Sequence, residues 1–95
     1  MILARVVGTV VATRKDPRLE GRKLLVLQLE SPRGNSRDDF RVAVDTVGAG
    51  VGEQVIAVQG SSARMAEDCK DSPVDTAIVG IVDSLDLDDP VRKEG

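Results

Sequence analysis

The sequence predicts a small, mainly all-β domain in which five short strands close into an antiparallel barrel. Two observations predict it. The 95 residues are rich in Val, Leu and Ile and hold a single aromatic residue, Phe40, and glycines and prolines divide the apolar residues into strand-length runs. A chain of this length is short for one domain and too short for two. A parallel sheet would need long crossover helices, so an antiparallel barrel suits the spacing better.

The first two strands come from the N-terminal third of the chain. A valine-rich run over Ile2–Thr13 predicts a long first strand that ends before Pro17, because proline stops regular pairing. Gly8 lies within this run, where it favours a bulge or the sharp bend that a small barrel requires. A second strand is predicted over Lys23–Leu29, and the polar stretch Glu30–Asp39 after it predicts an exposed loop.

The remaining elements follow at short intervals. A third strand is predicted over Phe40–Val44, with the side chains of Phe40, Val42 and Val44 on one face, and a fourth over Gln54–Gln59. Helix-forming residues behind a serine predict one short helix within Ser61–Asp68. The last strand is predicted over Ala77–Asp83. These elements compose an OB-like barrel domain over residues 1–83, followed by an acidic C-terminal tail over 84–95.

A glycine-rich segment, Gly48-Ala49-Gly50-Val51-Gly52, separates the third and fourth predicted strands. Glycine loops after strands often hold phosphates through backbone N–H groups. Here the G-x-G-x-x-G spacing fails, because Glu53 stands at the position of the last glycine and a strand follows instead of a helix. The segment therefore favours a tight turn, or a close approach between backbones that side chains would prevent.

Charge is distributed unevenly along the chain. Residues 1–44 carry nine Lys or Arg against five Asp or Glu, whereas residues 45–95 carry four against eleven. Opposite charges of this kind can face each other within one barrel or between neighbouring copies. The first loop is surrounded by five basic residues, Arg14, Lys15, Arg18, Arg22 and Lys23. They leave an alternative function open, that of an OB-type module that binds single-stranded nucleic acid or a small anion. Base stacking would have to rely on Phe40 alone.

Composition argues against catalysis and against a metal or cofactor site. The chain has no histidine, so Ser61 and Ser62 have no imidazole base, and the acidic residues lack the spacing of a calcium loop. The single cysteine, Cys69, excludes an internal disulfide. Neither a cleavable leader nor an apolar segment of membrane-spanning length is evident, so we expect a soluble intracellular protein.

Five segments, taken in chain order, together resemble one known family. They are Gly8–Lys15, Leu19–Val26, Val42–Asp45 with Val47–Glu53, Gly60–Arg64 and Val74–Asp83. Each is a common short string, but their order over almost the whole chain resembles the EutN/CcmL family of bacterial microcompartment shell proteins. The Glu30–Asp39 loop and the tail after Asp83 match no shared motif.

The resemblance implies a non-catalytic barrel subunit that assembles as a cyclic pentamer and forms the vertices of an icosahedral shell. It implies hexameric and pseudohexameric shell proteins as partners, neither nucleic acid nor a membrane as a partner, no cofactor, and a location in the microcompartment shell within the cytoplasm. Residues expected at a central pore or subunit interface are Gly48, Ala49, Gly50, Gly52, Ser61, Ser62 and Arg64. Residues expected to contact a neighbouring subunit or the shell are Arg14, Lys15, Asp45 and Asp75.

Overall fold

The structure, a computed structural model, describes residues 1–13, 15–60, 63 and 74–88. Its elements, in chain order, are β1 (Ile2–Val10), a 3-10 turn (Pro17–Leu19), β2 (Lys23–Glu30), β3 (Ser36–Asp45), β4 (Gln54–Gln59) and β5 (Thr76–Ile81). Over these described ranges, no helix has the length and apolar character needed to cross a bilayer. Apart from Ala63, the short helix predicted within Ser61–Asp68 lies outside the described residues.

The five strands close into a barrel in the order β1-β2-β3-β5-β4, with β4 pairing back onto β1. Four of the five pairings are antiparallel, as predicted. The fifth pairing differs from the prediction, because β3 and β5 run parallel where Val44 lies beside Ala77 and Asp45 beside Ile78. Residues 46–75, which include β4, connect β3 to β5, and a parallel pair needs a connection of a dozen or more residues.

The bend predicted at Gly8 is present. The register of β1 against β2 shifts between Val6, which pairs with Leu27, and Gly8, which pairs with Val26. One residue of β1, Val7, is therefore extra on its strand, which is the definition of a β-bulge and increases the local twist. The bulge lets one long strand pair with β4 through its first half and continue along β2 through its second.

Two apolar clusters hold the barrel together. Aliphatic side chains from all five strands fill the interior, and the largest fully buried ones are Leu25, Leu27, Ile78, Val6 and Val55. A second cluster, built around Val44, Ala63, Val74 and Ala77, packs beside the first loop and includes Leu19 and Leu24 at its margin. With no large aromatic residue inside, the interior must be small and closely filled.

Strand ends differ most from the predictions in β1, β3 and β5. β1 ends at Val10, three residues early, and Val11 is 93% exposed. β3 begins at Ser36, so the predicted loop Glu30–Asp39 shrinks to residues 31–35, because Ser36 pairs with Glu30 and prolongs the hairpin. β5 spans Thr76–Ile81 and stops before Asp83, whereas β4 has the predicted bounds.

Candidate functional site

The glycine-rich loop between β3 and β4 has a backbone that two of its glycines make possible. Gly48 has a φ of 80° and Gly52 a φ of 93°, a region that side chains with a Cβ rarely occupy. Gly50 lies outside that region, and a Cβ there would meet only the Glu53 carboxylate, at 3.4 Å. Gly48 and Gly52 are therefore required by the fold of this loop, whereas Gly50 is not.

Asp45, the last residue of β3, anchors the first half of the loop. Its Oδ1 accepts the N–H groups of Val47 at 3.0 Å and Gly48 at 3.1 Å, and its Oδ2 accepts that of Ala49 at 2.9 Å. The Asp45 side chain is only 3% exposed. Three successive N–H groups converging on one carboxylate form an anion-binding concavity whose anion belongs to the chain itself.

The second half of the loop is held in the same manner. The Glu53 Oε1 accepts the N–H of Gly50 at 2.7 Å, and the Glu53 N–H donates to the carbonyl of Gly50 at 3.1 Å. Gly52 donates its N–H to the carbonyl of Val6 at 2.8 Å, which ties the loop to β1. The positive φ of Gly52 is what a turn closed between residues 50 and 53 needs at its third position.

A lysine from β2 fixes the loop from a distant part of the chain. The Lys23 Nζ donates to the carbonyl of Ala49 at 2.9 Å and lies 4.0 Å from the Asp45 Oδ2. Ala49 is fully buried and belongs to the interior core, so its methyl group fastens the middle of the loop to the barrel. Sequence reasoning placed Lys23 in the basic cluster of the first loop and missed this contact, because its partner lies 26 residues away and no local pattern signals it.

A buried carboxylate joins the same end of the barrel to the β2–β3 hairpin. The Glu30 side chain is 3% exposed and accepts hydrogen bonds from the Arg5 Nε at 2.7 Å and the Gln54 Nε2 at 3.1 Å. Arg5 also donates to the carbonyl of Gly52 at 2.9 Å. The guanidinium thus bridges the root of the hairpin and the glycine loop, a second contact that the sequence did not reveal.

These contacts remove the chemistry that a phosphate site would need. The N–H groups of residues 47–50 already donate to Asp45 and Glu53, so a phosphate would compete with two carboxylates of the same chain. Those carboxylates would also repel it. Within the described ranges, no group of three or more His, Cys, Asp or Glu side chains lies together as metal ligands would.

The basic residues around the first loop are largely neutralised by neighbouring carboxylates. Lys15 lies 3.8 Å from Glu20, and the Arg18 guanidinium lies 2.8 Å from the Asp16 carboxylate. Hydrogen bonds from the side chain and backbone of Arg18 lower the pKa of Asp16 to about 2. Because Lys15, Arg18 and Lys23 already face carboxylates, this loop is a weaker match for a nucleic-acid backbone than its sequence suggests. Arg14 lies outside the described residues.

The other residues singled out from the sequence divide into three groups. Gly48, Ala49, Gly50 and Gly52 share one loop with Asp45, whose carboxylate is occupied within the chain. Asp75 is exposed just before β5, and its carbonyl accepts the N–H of Gly60 at 2.8 Å. Ser61, Ser62 and Arg64 lie outside the described residues.

Comparison with known families decides what this barrel is. Residues 1–83 match the sequence model of the family described as ethanolamine utilisation protein EutN/carboxysome. The chain belongs to the EutN/CcmL family. It is accordingly a structural shell protein of a bacterial microcompartment and not an enzyme, as its composition predicted.

Individual relatives of this EutN/CcmL protein are similar over nearly their whole length. The chain is 44% identical to the carboxysome shell vertex protein CcmL of Synechococcus elongatus, over 93% of this chain and 89% of the relative. It is 50% identical to the microcompartment shell vertex protein PduN of Salmonella typhimurium, over 90% of this chain and 98% of the relative.

A solved structure has the same fold. The pentameric microcompartment shell protein GrpN of Rhodospirillum rubrum superposes with a TM-score of 0.85 at 46% identity, covering 92% of this chain and 99% of that one. The OB-like barrel and the shell function inferred from the sequence are confirmed.

Proposed function

We propose that five copies of this chain form a closed ring that occupies the vertices of a microcompartment shell whose flat faces are hexameric and pseudohexameric shell proteins. The observation that carries the proposal is the full-length similarity to a protein that is itself a pentameric shell protein. Five copies are needed at such a position because hexagonal tiling alone stays flat, and a head-to-tail ring closes when its rotation is right.

The ring proposal includes a place for the glycine loop. Gly48, Ala49, Gly50 and Gly52 lie near the fivefold axis or a subunit contact, together with Ser61, Ser62 and Arg64. Support comes from the rigidity of the loop, since hydrogen bonds from both halves and the buried Ala49 hold its shape before any neighbour arrives. A preorganised surface loses little conformational entropy when it binds. Arg14, Lys15 and Asp75 are proposed to contact neighbouring subunits or the shell, and Asp45 to act through the loop that it positions.

Native mass determination tests the ring directly. The chain has a mass of 10.1 kDa, so light scattering after size exclusion should return about five times that value at micromolar concentration. A monomer under those conditions would refute the proposal. Co-expression with hexameric shell proteins should then give closed particles by electron microscopy, whereas hexamers alone should give open sheets or tubes.

A substitution at Gly50 tests the position of the loop. Gly50→Val adds a branched side chain at a site where the chain itself offers space beyond the Glu53 carboxylate, so folding should persist while ring formation is lost. Gly50→Ala is the matched control and should retain both. An unchanged pentamer in the valine variant would remove the loop from the subunit contact.

A further inference from the structure

Among the residues that the structure describes, part of the β3 edge lacks a neighbouring strand. Within the described part of the chain, β3 pairs with β5 only at Val44 and Asp45, so the edge of β3 over residues 36–43 that faces away from β2 has no strand beside it. Such an edge presents unpaired N–H and C=O groups and readily accepts another extended segment. This stretch of eight residues is about 26 Å long.

An apolar surface lies beside this edge. Phe40 and Val42 are 49% and 52% exposed on one face of β3. A groove of about 190 Å³ continues from Val42 toward the first loop, and its lining includes Leu19, Leu24, Val44 and Val74. Apolar side chains that border an open strand edge favour a partner that adds a strand and carries apolar residues on the same face.

The segment after β5 has the pattern of such a strand. Ser84-Leu85-Asp86-Leu87-Asp88 has no strand or helix assignment, and its two leucines are 39% and 43% exposed. Their spacing of two places both leucines on one face of an extended chain, with the acidic side chains on the other. Leu85 and Leu87 border a cleft of about 480 Å³ with Pro32 and Arg33, so the segment leaves the barrel beside the tip of the β2–β3 hairpin.

One cation on the open edge favours a pairing between the two parts of different copies. Residues 36–43 of β3 carry two Arg and two Asp, and the Arg41 guanidinium already pairs with the Asp39 carboxylate. On β3 itself Arg37 is exposed, and no carboxylate of the described residues lies within 4.0 Å of it. An acidic segment laid along β3 would bring the Asp86 carboxylate toward this cation.

We infer that Ser84–Asp88 of one copy adds as an extra strand to the open edge of β3 in the next copy, with Leu85 and Leu87 packed against Phe40 and Val42. The inference rests on the proposed ring and names the contact that closes it. The five residues span about 16 Å, well within the length of the open edge. Because donor and acceptor are different surfaces, every subunit gives one segment and receives one, which is the heterologous contact of a ring.

Disulfide trapping tests the contact. In a Cys69→Ser background, Val42→Cys is co-expressed with Leu85→Cys or Leu87→Cys, each variant carrying a different tag, and the assembled protein is oxidised. We expect a covalent dimer that contains both tags to be the main product on a denaturing gel, because paired strands bring Cα atoms within the 4.4–6.8 Å that a disulfide needs. Neither variant alone should cross-link, since the contact joins unlike surfaces.

A control pair of cysteines and the possible negative results can be told apart. Val42→Cys with Val11→Cys should stay uncross-linked, because Val11 is 93% exposed but lies in the first loop. A pentamer without mixed dimers would overturn the strand addition and leave the ring intact, whereas a wild-type monomer would overturn the ring itself. A single chain carrying both cysteines that closes internally would show that the segment covers its own β3 edge, which also overturns the inference. The double variant Leu85→Ser, Leu87→Ser should raise the concentration for half-assembly about tenfold or more.

Discussion

Two alanine substitutions in the glycine loop separate the needs of folding from those of assembly. Gly48 and Gly50 stand two residues apart in the same loop, but only Gly48 has a positive φ, 80°. A Cβ at Gly48 would meet nothing within 4 Å, so crowding plays no part there. Gly48→Ala therefore measures backbone strain, and Gly50→Ala is a control of equal size.

The expected difference follows from backbone conformation. An L-residue in the left-handed region costs about 1 to 2 kcal/mol, while replacing glycine by alanine lowers the entropy of the unfolded chain and returns about 0.4 to 1 kcal/mol. Gly48→Ala should thus lower the free energy of unfolding by about 1 kcal/mol. Gly50→Ala has no such strain, and its nearest neighbour is the movable end of Glu53, so its stability should be unchanged or slightly higher.

Urea unfolding followed by far-ultraviolet circular dichroism measures both variants, since the chain has no Trp or Tyr to report by fluorescence. With a urea dependence of about 1 to 2 kcal/mol per molar, the Gly48 variant should unfold about 0.5 to 1 M earlier. Runs at two protein concentrations separate folding from ring dissociation, because only the latter depends on concentration. Equal losses in both variants would contradict the assignment of strain to Gly48.

Three further outcomes are expected. Asp45→Ala leaves the buried N–H of Ala49 without an acceptor and should destabilise the protein by about 1 to 3 kcal/mol in the same unfolding assay; wild-type stability would show that water replaces the carboxylate. Asp16, whose pKa is about 2, should titrate in NMR near pH 2 and closer to its ordinary value of 3.8 after Arg18→Ala, which removes the side-chain hydrogen bonds but keeps the backbone N–H of residue 18. Since its folded pKa is depressed, its contribution to stability is present above pH 3.8 and is lost as pH falls through 2; an unchanged midpoint in the variant would exclude Arg18 as the cause. Leu27→Ala removes a fully buried side chain and should cost about 2 to 5 kcal/mol, and a loss below 1 kcal/mol would place Leu27 outside the core.

Sequence reasoning was most accurate for elements whose ends are set by glycines with a positive φ. β4 matched at both ends because Gly52 and Gly60, with φ of 93° and 67°, punctuate it. The early start of β3 at Ser36 escaped prediction, because a polar hairpin ribbon has no apolar alternation to reveal it. The parallel pairing of β3 with β5 was not predicted for a different reason, because local composition does not determine which strands become neighbours in the barrel.

Prediction of the candidate site succeeded for its position and fell short for its chemistry. Glycine spacing indicated the loop but not the side chains that anchor it. Asp45 was predicted to contact a neighbouring subunit, and the anchoring role of Glu53 was not predicted. An Asp followed three residues later by Gly is a recognisable local pattern for side-chain capping of a turn, and it was available in the sequence. The contact of Lys23 with Ala49 and the pairing of Arg5 with Glu30 could not be predicted, because each joins residues 25 or more positions apart.

The loop that carries its own carboxylates has one more consequence. A backbone concavity left empty would fill and empty as phosphates and organic acids rise and fall around the protein, and its shape would follow their concentrations. Asp45 and Glu53, being covalently part of the chain, are present at a constant and very high effective concentration. The geometry of the loop is thereby made independent of the surrounding metabolites, a useful property for a corner piece whose angle has to stay the same while the chemistry around it changes.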